Sequence, residues 1–187
     1  EYLHALENAR SSINVVPLVG HGTVRTVVMG LEARDPSKGE LNAMKELVVQ
    51  AMEAGSFGLS TGLIYAPGCF AKTEEIIQLC RVVADYGGIY ASHIRNEGHA
   101  LIEAVKEAIR IGRETGVSVE ISHHKAFGRE NWGKVKETLG LLENARRDGV
   151  EVTCDVYPYM AGMTSLAALL PPWAREGGRE EILERLR

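Results

Sequence analysis

Short runs of branched and aromatic apolar residues recur along the chain, spaced by about 30 residues from the second run onward, and the stretch after each of the middle runs closes on a glycine. The runs are "INVVPLVG" (13–20), "FGLSTGL" (57–63), "GIYASHI" (88–94), "VSVEISH" (117–123) and "VEVTCDVY" (150–157). Each is nearly continuous in apolar character, the pattern of strands buried on both faces of a parallel sheet. Between them, "LNAMKELVVQAMEAG", "KTEEIIQLCRVVADYG", "GHALIEAVKEAIRIGRETG" and "NWGKVKETLGLLENARRDG" carry apolar residues at three- and four-residue spacing, the helical period. Gly55, Gly87, Gly116 and Gly149 stand where these helices should stop, because glycine adopts the left-handed closing conformation without steric cost. A repeat of about 30 residues is one βα unit.

The pattern predicts an α/β fold with about five parallel strands and flanking helices, either an open doubly wound sheet or part of a (β/α)8 TIM barrel. A complete barrel takes about 250 residues, so the 187 present supply only part of one. The first residues, "EYLHALENAR", place Leu3, Ala5 and Leu6 on one face of a helix with no initiator methionine before them, and "REEILERLR" stops inside a helical pattern. Both ends therefore suggest a piece of a longer protein. In either architecture the chemistry belongs at the C-terminal ends of the strands, whose loops share one face.

Composition narrows the class of partner. A formal net charge of -4, with its basic residues scattered, offers no patch for nucleic acid. No apolar run reaches the 18 residues or more that would cross a bilayer, and the opening segment lacks the apolar character of a signal peptide, so a cytoplasmic protein is expected. Cys69, Cys80 and Cys154 are odd in number and lack CxxC spacing, which argues against disulfides and against a cysteine-rich zinc site.

The five runs lead into "GHGTVR", "STGLIYAPG", "SHIRNEG", "SHHKAFG" and "DVYPYMAG", all polar or aromatic where a scaffold needs only loops. Five such ends on one face predict a cleft that binds a small molecule. His93 and His123 occupy equivalent places on adjacent units. Either alone is better explained by packing or a hydrogen bond, but as a pair on neighbouring strands about 4.8 Å apart they could share an ion with bonds of about 2.0–2.1 Å. His124 should face the other way along the strand and be structural. Two histidines do not complete a catalytic zinc site, which takes three protein ligands. Cys154, Cys69 and Asp155 are weak candidates for the third. Lys125 should lean into the same mouth, either as a cationic anchor for a substrate carboxylate or as a solvated loop lysine. Tyr65, Tyr157 and Tyr159 could wall the pocket or simply pack. Arg95 with Glu97, and His21 with Arg25, are expected to pair locally.

In order and spacing, "GHGTVR", "GLSTGLIYAPG", "ASHIRNEG", "ISHHKAFG" and "DVYPYMAGMTSLAALLPPW" resemble the N-acyl-D-amino-acid deacylases (D-aminoacylases) of the amidohydrolase superfamily, from about Gly20 to Trp173. The resemblance implies a metal-dependent (β/α)8 barrel that hydrolyses the amide of an N-acyl-D-amino acid, with Zn2+ as cofactor. It maps zinc ligation onto His93 and His123, contact with the substrate carboxylate onto Lys125 and Tyr157, and a place beside the site onto Tyr65. Other family features have no counterpart: the His-x-His pair of the first strand, an early cysteine ligand, and the acid–base aspartate of the last strand. Residues 57–63 also lack the lysine that bridges metals in other amidohydrolases. The resemblance thus implies that residues 1–187 are about strands 3 to 7 of the barrel, with no catalytic residue of their own, an incomplete zinc site and little activity alone. Unpaired strand edges near Ile13 and Val150 would favour a homo-oligomer. Two alternatives stay open: another amidohydrolase acting on a cyclic amide, and a non-catalytic α/β module that binds a small molecule.

Overall fold

A computed structural model of the chain describes residues 2–187. In order, its elements are α1 (Tyr2–Asn8), β1 (Val19–Gly20), α2 (His21–Met29), α3 (Lys38–Glu53), β2 (Gly58–Gly62), α4 (Thr73–Asp85), β3 (Ile89–His93), α5 (Leu101–Thr115), β4 (Ser118–Ile121), α6 (Lys134–Arg147), β5 (Val152–Cys154) and α7 (Arg179–Arg185). All five strands are parallel and lie side by side in chain order, β1-β2-β3-β4-β5. A doubly wound sheet reverses its strand order at a switch point. This sheet never reverses, which is the progression of a barrel wall.

The helices pack on one face of the sheet. Leu59, Tyr90, Val119, Ile121 and Val152 meet Met44, Val48, Ile76, Leu79, Val83, Leu101, Val105, Ile111 and Leu142 in a single apolar core. Each such side chain, when fully buried, contributes about 1.5–3 kcal/mol. The polar residues on that face satisfy one another: the Tyr90 hydroxyl lies 2.9 Å from Thr61 Oγ1 and 3.1 Å from Ser92 Oγ. Ser60, Ala91, Glu120 and Thr153 alternate onto the opposite face, which stays half-buried or exposed. Burial on both faces, expected from the apolar runs, therefore holds for one face only.

Four helices end where the glycines placed them. Gly116 closes α5 with φ 74°, its N–H bonding Gly112 O, and Gly55, Gly87 and Gly149 also have positive φ. Ser37 and Glu40 form a reciprocal capping box that starts α3.

The outer strands are shorter than expected. Only Val19 and Gly20 of the 13–20 run pair, because β1 is an edge with β2 on one side alone and Pro17 has no N–H to give. Ile13, Val15 and Val16 are exposed. At the other edge the 150–157 run pairs only from Val152 to Cys154, and Val156 is exposed. "GHGTVR" is not a loop but the first turn and a half of α2. Its valines and glycines are poor helix formers, so the sequence reads as turn and strand. Val24 and Met29 are buried against the core and hold the segment as helix. Among the described residues no helix is long and apolar enough to cross a membrane.

Candidate functional site

The two histidines reach the site by different routes. His93 is the last residue of β3, whereas β4 stops at Ile121, two residues before His123. Ser92 pairs with Ile121, so regular strand geometry would set His93 level with Ser122 and leave His123 one step beyond. The chain turns there instead: His123 has φ 43°, a left-handed conformation that costs a non-glycine residue about 1–3 kcal/mol. Asp155, just past β5, holds the turn. Its carboxylate accepts the His123 N–H at 2.5 Å and its carbonyl accepts the His124 N–H at 2.8 Å. Asp155 thus supports the site from behind, in place of the ligand role considered for it. The turn brings the His93 and His123 rings together edge to face, with centroids 4.4 Å apart. His124 points away into α6, buried, with Nε2 2.9 Å from Thr138 Oγ1. The expected direction is right, but a turn produces it and not strand alternation.

Glu97, four residues past His93, is the group that sequence reasoning missed. Its partner is not Arg95. Arg95 donates to Glu107 on α5 and to the carbonyls of Cys69 and Ala71, tying the loop after β2 to that helix. Glu97 Oε1 instead lies 2.5 Å from Lys125 Nζ and 3.0 Å from His123 Nδ1. Lys125 Nζ also donates to the His123 carbonyl at 2.6 Å and sits 3.0 Å from His123 Nδ1. It stands 5.3 Å from the centre of the Tyr157 ring, within cation–π range. The clue available in sequence was a carboxylate four residues beyond His93, in the mouth where Lys125 was already expected.

Tyr65 completes the wall, its ring centroid 5.1 Å from that of His93. Gly62, at the end of β2, makes room: a Cβ there would fall 2.8 Å from Tyr65 Cδ2. The Tyr65 hydroxyl meets Thr164 Oγ1 at 3.0 Å, so the segment after β5 reaches across to the loop after β2. Tyr159 lies beside Tyr157, with ring centroids 6.4 Å apart. These residues line an open cleft of about 1640 Å³ above the strand ends.

Burial lowers the His93 pKa to about 4; Glu97 opposes the shift, and His123 and Lys125 add to it. The ring is therefore neutral at physiological pH, as a metal ligand must be. Its Nε2 is buried without a hydrogen-bond partner. His93, His123 and Glu97 each offer a possible ligand atom within 4.8 Å of the others. Imidazole suits zinc, so His93 and His123 fit such an ion, with the Glu97 carboxylate beside them.

His21 and Arg25 do not pair with each other as expected. Both converge on Glu75 of α4: His21 Nε2 is 2.8 Å from Oε1, and Arg25 Nη1 bonds Oε2. Burial pushes the Glu75 carboxyl up, but the hydrogen bond and charge of His21, together with Arg25, outweigh it and hold the group below its usual range. All three are buried.

No family model matches the chain. It is similar to D-aminoacylase of Alcaligenes xylosoxydans xylosoxydans, 46% identical over 168 residues that cover 89% of this chain and 34% of the relative. It is also 46% identical over 165 residues to N-acyl-D-glutamate deacylase of the same organism, covering 88% and 34%. Among solved structures, the N-acyl-D-glutamate deacylase of Bordetella bronchiseptica, complexed with zinc and a phosphonate mimic of the tetrahedral intermediate, superposes with a TM-score of 0.81 at 43% identity. That match covers 84% of this chain and 33% of the other. The chain spans about a third of the length of these relatives. Over that third, with its parallel strands in barrel order and its two histidines at neighbouring strand ends, the chain is similar to the D-aminoacylases and N-acyl-D-glutamate deacylases.

Proposed function

We propose that the protein belongs to a zinc-dependent hydrolase that cleaves the amide of N-acyl-D-amino acids, and that residues 1–187 supply about strands 3 to 7 of its barrel. The observation that carries this reading is the meeting of the His93 and His123 rings, 4.4 Å apart, at the mouth of a cleft that also holds Lys125. The zinc and phosphonate bound to the Bordetella relative support it.

In this reading His93 and His123 hold the ion, which when bound polarises the scissile carbonyl and lowers the pKa of the attacking water. Lys125 supplies a cation for the substrate carboxylate, and Tyr157, with its ring beneath that cation, offers a hydroxyl to the same group. Tyr65 walls the cleft beside His93. The acid–base aspartate and the remaining ligands come from elsewhere in the barrel, so this chain alone binds metal but does not turn over substrate. The unpaired outer edges of β1 and β5 favour self-association of the isolated chain; a strictly monomeric species in sedimentation at high concentration would count against that part.

Zinc titration by calorimetry tests the core of the proposal. Binding should be lost in His93→Ala and His123→Ala and kept in His124→Ala. Equal behaviour of all three variants would favour a non-catalytic binding module. The whole protein should release a D-amino acid from an N-acetyl-D-amino acid, whereas this chain should not exceed its own His93→Ala variant. Turnover by the chain alone would remove the need for the missing aspartate.

A further inference from the structure

Glu97 is engaged by two different partners at once. One oxygen, Oε1, faces both the Lys125 ammonium and the His123 ring, at 2.5 and 3.0 Å. The loop that carries it is fixed on both sides. Asn96 Oδ1 accepts the N–H groups of Gly98 and Ala100, and the Glu97 carbonyl accepts the Phe127 N–H at 2.7 Å, joining the loops after β3 and β4. Lys125 donates to Glu97 and to the His123 carbonyl, with His123 Nδ1 3.0 Å away.

An ammonium 3.0 Å from a metal-binding imidazole is a poor neighbour for a divalent cation unless a negative charge offsets it. Lys125 is nonetheless the cation available for the substrate carboxylate. The two demands conflict, and Glu97 stands where it reconciles them. We propose that Glu97 is a positioning residue: it holds Lys125 against the His123 loop and cancels the charge of the ammonium, so that a divalent cation and a substrate anchor can share one mouth. This inference rests on the metal reading above. It makes Glu97 act through Lys125, not as a ligand itself.

A double-mutant cycle separates these roles. Zinc is titrated into metal-free wild type, Glu97→Gln, Lys125→Met and the double variant. Glu97→Gln changes the charge with almost no change in shape. It should weaken zinc binding about 10- to 100-fold, the range for outer partners of metal ligands. Lys125→Met alone should not weaken it, and the double variant should return to within about twofold of wild type. A double variant as weak as Glu97→Gln would make Glu97 a direct ligand and overturn the proposal, as would an unchanged Glu97→Gln. A second readout needs no metal: the 15N resonance of the Lys125 ammonium should move in Glu97→Gln and stay in place in His93→Ala. A Lys125 signal unmoved by Glu97→Gln would overturn the proposal on its own. If wild type binds no zinc, the metal reading fails while this spectrum still decides whether Glu97 holds Lys125.

Discussion

The molecule contains two His–Glu–cation clusters built from the same chemical parts. In one, His21 and Arg25 on α2 share Glu75 on α4, and their side chains are 0%, 0% and 4% exposed. In the other, His123 and Lys125 share Glu97, and the corresponding values are 29%, 25% and 15%. The sealed cluster gives each partner its own carboxylate oxygen, and Arg25 turns its other amino group to the carbonyls of Glu32 and Arg34. The open cluster crowds both partners onto one oxygen and leaves a second imidazole, His93, beside it. Full burial makes the first a fastener between helices. Partial burial and a neighbouring neutral imidazole make the second a place where an ion can enter.

The contrast is broken if the two clusters respond alike to mutation. The largest effect should come from Glu75→Ala, which strands a buried guanidinium. Chemical denaturation should show a loss of about 3–5 kcal/mol, with zinc affinity preserved in whatever protein remains folded. Next is Asp155→Ala, which removes the carboxylate that accepts the His123 N–H. It should cost about 1.5–3 kcal/mol, as for other hydrogen bonds to charged groups, and should weaken zinc binding as well. Acid sharpens the comparison. The folded state keeps His93 neutral down to about pH 4, while the unfolded ring takes up a proton near 6.5. Stability without metal should therefore be full above pH 6.5 and decline between 6.5 and about 4, by about 1 kcal/mol once solvent screening of a half-buried group is allowed for. Denaturation midpoints that do not move across that window would contradict the buried, neutral ring. Smallest is Glu97→Ala, expected to cost under about 1 kcal/mol of stability, as for an accessible ion pair.

Much of the frame was legible because it follows from periodicity. Four helices, their glycine stops and the middle three strands come from spacing alone, and the strand-end rule places His93 and His123 in one mouth. What was lost depends on partners distant in sequence. Arg95 pairs twelve residues along a helix instead of two residues along a loop, and Glu97 finds Lys125 across two loops. α2 is hidden because valine and glycine argue for strand and turn, and only packing of Val24 and Met29 decides otherwise. The outer runs promised longer strands than form, since an apolar pattern does not reveal whether a second neighbour is there to pair with it.

The turn at His123 carries a consequence for how the site assembles. Its left-handed backbone is held by Asp155, which directly follows the short outer strand β5, three paired residues with a single neighbour. Edge segments with few hydrogen bonds are the first to open in local unfolding. Each time β5 frays, the support beneath His123 is withdrawn, although β3 and β4 stay folded. Order at the His123 turn is therefore tied to a short edge strand that contributes no side chain to the cluster of His93, His123 and Glu97.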